Sequence, residues 1–241
     1  MASLEFTASS SPLASYSHAK LAALGLSIEA TSADSVEDVE AADTSGAAVW
    51  AGSVSLAEEL LARPELVAGK RVLELGCGVG VAGLAAAVVG AASVVLTDGN
   101  PSVLALCRRN IEANRGKLGA GTCECATLEW GEVHAAAALA AAHRPEVVIG
   151  ADVGYDPSSQ DALARTLVAL SQRSAQQLSE GAPPPLVVVL AEATRYRDVH
   201  GFLRTSLADV GGLSLVAERK LADKVVLLQY ESGRAICPRP Q

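Results

Sequence analysis

The residues best suited to chemistry begin at "VLELGCGVG", where Gly76, Gly78 and Gly80 alternate after an apolar run and ahead of a helical one. Glycines at that spacing let a backbone turn tightly and approach a ligand closely. Dinucleotide-binding loops use nearly the same pattern, so the triplet alone does not choose a ligand. Glu74 does. A pyrophosphate would lie on the N-terminus of the helix that follows, and a carboxylate two residues before Gly76 would repel it. Glu74 suits instead a ligand carrying positive charge, such as the sulfonium and amino groups of S-adenosylmethionine. Asp98 closes the next strand-like run, "SVVLTD". A carboxylate there can accept both hydroxyls of a ribose, and charge-assisted bonds of that kind contribute about 1.5–3 kcal/mol. Gly99, Asn100 and Pro101 then turn the chain into another helix.

Trp50 and Trp130 are the only tryptophans in a chain with 3% aromatic residues. Trp130, beside Glu129 at the end of a strand-like run, is placed to flank an adenine face or to pack at the rim. Trp50 starts a helix that would lie over the site, where its indole N–H can donate to a ligand carboxylate. In "VVIGADVGYDP", residues 147–157, the apolar run stops at Ala151 and Asp152, and Tyr155 follows three positions later. A carboxylate and a phenol at a strand end mark either a terminus meeting solvent or one edge of an active site; the second is the expectation. Glu192, Arg195 and Tyr196 would form the opposite wall, although "EATRYRD" also reads as a solvated helix start. The four histidines sit in no motif. The five cysteines lack metal-ligand spacing, so no metal is expected, and they read as reduced thiols in the cytoplasm.

These groups need a scaffold that brings strand ends to one edge. From Lys70 onward, β-branched runs at 71–76, 93–98, 121–130, 146–152 and 186–193 alternate with helical patterns at 80–90, 101–115, 131–143, 159–178 and 198–210. Continuous apolar runs mark strands buried on both faces, as in a parallel sheet. Strict alternation predicts an α/β, doubly wound, Rossmann-like sheet. The last two runs, 213–219 and 224–232, are close enough to pair as an antiparallel hairpin, giving seven strands in a mixed sheet. Ligands bind such sheets outside the carboxyl ends of the strands. Gly76–Gly80, Asp98, Glu129–Trp130, Asp152–Tyr155 and Glu192 all fall on that edge.

Charge narrows the partners. With 19 basic and 27 acidic side chains the formal charge is −8, and no basic cluster points to nucleic acid. No apolar run has the roughly 18 residues of a membrane span. Residues 1–45, with the acidic run "SADSVEDVEAAD", are expected to be partly disordered or to pack late as short strands.

Taken together, "AAVWAGSVSLAEELL", "RVLELGCGVGVAGLAAA", "VVLTDGNPSVLALCRRNIEAN", "LEW" and "VVIGADVGYDP" resemble the class I, seven-β-strand protein-lysine methyltransferases, nearest the branch acting on calmodulin, elongation factor 2 and chaperones. The resemblance covers about residues 46 to 232, in the same order and at compatible spacing. It implies a methyltransferase domain at 46–233, followed by a tail at 234–241. It implies that Trp50, Gly76, Gly78, Asp98, Trp130 and Ala151 touch S-adenosylmethionine, with Glu74, Cys77, Gly80, Gly99, Asn100 and Glu129 in the same cofactor site. Asp152 and Tyr155 correspond to a D-x-x-Y motif lining a channel for the substrate lysine. The expected partner is a protein bearing that lysine, and the enzyme is expected to be a monomer. Three rival readings stand beside this one: a class I methyltransferase acting on a small molecule or another nucleophile, a non-catalytic scaffold of the same fold, and an NAD-dependent reductase, which Glu74 and the terminal hairpin disfavour.

Overall fold

A computed structural model describes residues 5–7, 14–17, 25–31, 45–172, 185–193, 207 and 213–232. Three short strands, β1 (Glu5–Thr7), β2 (Ala14–Ser17) and β3 (Ile28–Ala30), form a small antiparallel sheet. The main sheet has seven strands: β4 (Arg71–Leu75), β5 (Ser93–Asp98), β6 (Thr122–Thr127), β7 (Val147–Ala151), β8 (Val187–Ala193), β9 (Leu213–Ala222) and β10 (Val225–Ser232). Their order is β6-β5-β4-β7-β8-β10-β9; the first five are parallel, and β10 runs antiparallel to both β8 and β9. The α/β, doubly wound, mixed sheet with its terminal hairpin is therefore as the sequence pattern predicts. The expected helix at 198–210, apart from Leu207, and the far end of the one at 159–178 lie outside the described residues.

Alternation along the strands builds a core on each face of the sheet. Val72, Val94, Leu96, Ile149 and Val189 pack under α1 (Ala51–Ala62), α2 (Val81–Val88) and α3 (Pro101–Asn114). Leu73, Leu75, Val148, Val188, Leu190 and Tyr230 pack under α4 (Val133–His143) and α5 (Gln160–Ser171). Two buried faces explain the unbroken aliphatic runs.

Connections from β4 lead outward through β5 to β6, and those from β7 lead the other way to β8, so the crevice between β4 and β7 is a topological switch point. The glycine loop after β4 and the Asp152 turn after β7 meet there.

Asn110 and Asn114, both fully buried, dock β3 on α3. Asn114 Oδ1 accepts the Ser27 N–H at 2.8 Å and its Nδ2 donates to Ser27 O at 2.7 Å. Asn110 Oδ1 accepts the Glu29 N–H at 2.8 Å and its Nδ2 donates to Glu29 O at 3.1 Å. Four helical residues rise about 6 Å and two strand residues about 6.6 Å, so the two amides match alternate peptides of the strand.

Candidate active site

The glycine loop is shaped by its neighbours as much as by its own freedom. Gly76 has φ 58° and a Cβ there would meet the Trp130 ring at 3.0 Å; Gly78 has φ 53° and a Cβ would meet Gly46 O at 2.8 Å. Both positions demand glycine. Asp98 ties the loop to the next strand: Oδ2 accepts the Gly78 N–H at 3.1 Å and Oδ1 the Asn100 N–H at 2.9 Å. Asn100 caps α3, accepting the Ser102 N–H at 2.9 Å. Glu74 lies under the loop and accepts the Gly83 N–H at 2.9 Å. Burial raises its pKa to about 8, opposed by that one hydrogen bond.

At the end of β7, Asp152 adopts a left-handed backbone with φ 52°. Both of its oxygens are engaged: Oδ2 accepts the Gly52 N–H of α1 and Oδ1 the Ala193 N–H of β8, each at 2.8 Å. The turn is thus clamped between a helix N-terminus and a neighbouring strand. Tyr155 is 38% exposed, and its hydroxyl lies 3.4 Å from Ser45 Oγ.

These groups surround one cavity of about 770 Å³. Trp50, Glu74, Gly76, Cys77, Gly78, Asp98, Gly99, Asn100, Glu129, Trp130, Ala151, Asp152 and Tyr155 all line it. Gly80 does not. It is the left-handed N-cap of α2, turned toward Cys107 and Leu96, because the loop has already left the crevice by that point. Glu192 is not in the lining either: it is buried behind Asp152, rather than forming an opposite wall, and Arg195 and Tyr196 lie outside the described residues. The Trp50 indole N–H donates to Ser45 O at 2.8 Å, so it is engaged by the chain's own backbone rather than held for a ligand carboxylate as the sequence suggests. Ser45, Gly46 and Ala48 form a cover that the sequence reading missed, and a short 3-10 turn of small residues carries no periodic signal that would have found it.

The side chains lining the cavity among the described residues include five acids, Glu74, Asp98, Glu129, Asp152 and Asp156, and no Lys or Arg; burial keeps Glu74 mostly protonated near neutral pH. Such a wall disfavours a pyrophosphate and fits a cationic ligand. Together with the seven-stranded mixed sheet, it fits a ligand that presents a sulfonium and an ammonium group, as S-adenosylmethionine does. The donor set fits that cofactor: Glu74 offers a buried acid with a single N–H partner, and Asp98 offers carboxylate oxygens at a strand end.

Residues 34–182 match the family model described as lysine methyltransferase, and the chain belongs to that family. It is 35% identical over 119 residues to the calmodulin-lysine N-methyltransferase of Arabidopsis thaliana, covering 49% of this chain and 38% of that protein. It is 31% identical over 188 residues to the protein-lysine N-methyltransferase EFM3 of Chaetomium thermophilum, covering 75% of this chain and 52% of that protein. The chain thus spans about half or less of the length of these relatives. A putative SAM-dependent methyltransferase from Streptococcus mutans shares the fold, with a TM-score of 0.60 at 13% identity over 94% of this chain and 57% of that one.

Proposed function

We propose that the protein transfers a methyl group from S-adenosylmethionine to the side-chain amine of a lysine in a protein substrate. The observation that carries this reading is an acid-lined cavity joining the glycine loop and Asp98 to Asp152 and Tyr155. In this reading Glu74 faces the cationic end of the cofactor, Asp98 its ribose, and Trp50, Gly76, Cys77, Gly78, Gly99, Asn100, Glu129, Trp130 and Ala151 complete the pocket; Gly80 shapes the loop from behind. When bound, S-adenosylmethionine supplies an electrophilic methyl group on a sulfonium.

The chain must deliver a neutral amine to it in line. A lysine with pKa about 10.4 is protonated at neutral pH, and removing the proton costs about 4–5 kcal/mol. Asp152 draws the ammonium inward. Because its oxygens already hold two peptide N–H groups, it serves as a fixed acceptor that orients the amine rather than as a strong base. Tyr155 supplies the wall of the lysine channel at the mouth, where the released proton reaches water. The partner is a protein with an accessible lysine, the enzyme acts as a monomer, and it works in the cytoplasm; the free thiols Cys77, Cys107, Cys123 and Cys125 support a reducing compartment. Among the described residues no helix is long and apolar enough to cross a membrane.

The test is transfer from tritiated S-adenosylmethionine into a lysate of cells lacking the protein, with wild type beside Tyr155→Ala. Wild type should label one protein band, and the variant should label it about tenfold less at unchanged cofactor affinity. Label confined to small molecules would overturn the lysine assignment and leave the small-molecule alternative.

A further inference from the structure

Glu192 occupies the second-last position of β8, on a strand whose other residues are aliphatic, and it is buried. An unpaired acid in such a place is costly unless its oxygens find donors. They find the backbone of the Asp152 turn. Glu192 Oε1 accepts the Val153 N–H at 3.1 Å and the Gly154 N–H at 3.2 Å, and Oε2 accepts Gly154 at 3.2 Å. The next peptide, Gly154–Tyr155, is held by buried Gln160, whose Nε2 donates to Gly154 O at 2.9 Å. Asp152 N–H donates to Ala191 O at 2.9 Å. From Asp152 to Gly154, then, each peptide N–H is held by β8 or by a side chain it carries, immediately before Tyr155.

We infer that Glu192 is a positioning residue for methyl transfer: it fixes the peptides of Val153 and Gly154, and through them the placement of Asp152 and Tyr155 at the substrate side of the cavity. This inference rests on the lysine-methylation reading of that edge. A carboxylate suits the task because two oxygens can receive two adjacent N–H groups at once, which a single amide oxygen does less well. Its hydrogen bonds go to the Asp152 turn rather than to the glycine loop or Asp98, so cofactor affinity and transfer are read separately. Displacement of a positioned group by about 1 Å costs on the order of 100-fold in rate.

The experiment compares wild type, Glu192→Ala, Glu192→Gln and Gln160→Ala in full-length protein by three readouts: affinity for S-adenosylmethionine by calorimetry, amide hydrogen exchange at Val153 and Gly154, and tritium transfer into the lysate protein. Glu192→Ala should leave cofactor affinity within about twofold, speed exchange at the two amides, and lower transfer by about 10- to 100-fold. Glu192→Gln keeps one acceptor oxygen and should recover part of the transfer. Gln160→Ala, which frees the adjoining Gly154–Tyr155 peptide, should lower transfer in the same sense. Unchanged exchange, or unchanged transfer beside an active wild type, would overturn the positioning role. So would loss of transfer that merely tracks loss of cofactor affinity. An inactive wild type with intact cofactor binding would instead sink the lysine reading itself.

Discussion

Asp152 pays for its place with a left-handed backbone, which costs a non-glycine residue roughly 1–2 kcal/mol. Its two carboxylate bonds, to Gly52 and Ala193, offset that cost and hold α1, β7 and β8 in register at the site. Asn tolerates the same backbone but carries one acceptor oxygen and an NH2 group in place of the other. Asp152→Asn therefore sets a donor against a peptide N–H and should destabilise the protein by about 1–3 kcal/mol, read as a lower urea midpoint. It should also abolish transfer at retained cofactor binding, because the acceptor for the lysine ammonium loses its charge. That Asp152 and Tyr155 fall at the ligand edge of the sheet was legible from the strand pattern, and both line the cavity. That Asp152 is also a structural clamp was not, since Gly52 and Ala193 come to it only through the tertiary fold.

At the level of elements, the main sheet was legible because its strands are buried on both faces and so read as unbroken aliphatic runs. The docking of β3 was hidden. In "CRRNIEAN" the two asparagines look like part of a solvated helix face, yet both are fully buried and hydrogen-bonded to the strand. Asn110 also donates to Val79 O at 2.9 Å, so the N-terminal strand is linked through one side chain to the glycine loop. Asn110→Ala should leave Glu29 and Val79 peptide groups without that partner, costing about 1–3 kcal/mol. Faster amide exchange across residues 27–31 and weaker S-adenosylmethionine binding should appear together; exchange without any change in binding would confine the role of Asn110 to strand docking. Glu192 was legible as an acid at the ligand edge, but it turns inward to the Val153 and Gly154 peptides instead of forming the opposite wall, because the neighbouring turn supplies its donors.

Over the whole molecule the acids at the site set a pH dependence. Glu74 and Glu192 are both raised to about 8, in each case chiefly by burial and further by a neighbouring carboxylate, against the opposing backbone N–H bonds. In the unfolded chain such groups ionise near 4.5. Between these values the folded protein keeps protons that the unfolded chain has released, so stability falls as pH rises from about 4.5 to about 8. Thermal melting at successive pH values should show that decline, and Glu74→Gln, which keeps an acceptor for Gly83 without the ionisation, should flatten it. A melting temperature that climbs with pH across the same window would contradict the burial of these two acids. The acid-only lining of the cavity belongs to the same scale: net charge was legible in composition, whereas its concentration in one crevice follows from the strand order.

The central claim is that the acceptor is a lysine amine, and its most direct test is tandem mass spectrometry of the protein band that receives the methyl group from isotopically labelled S-adenosylmethionine. The expected result is a mass increment on a lysine side chain, present with wild type and absent with Asp152→Asn. A methyl group mapped instead to an arginine, to another side chain or to a small molecule would contradict it.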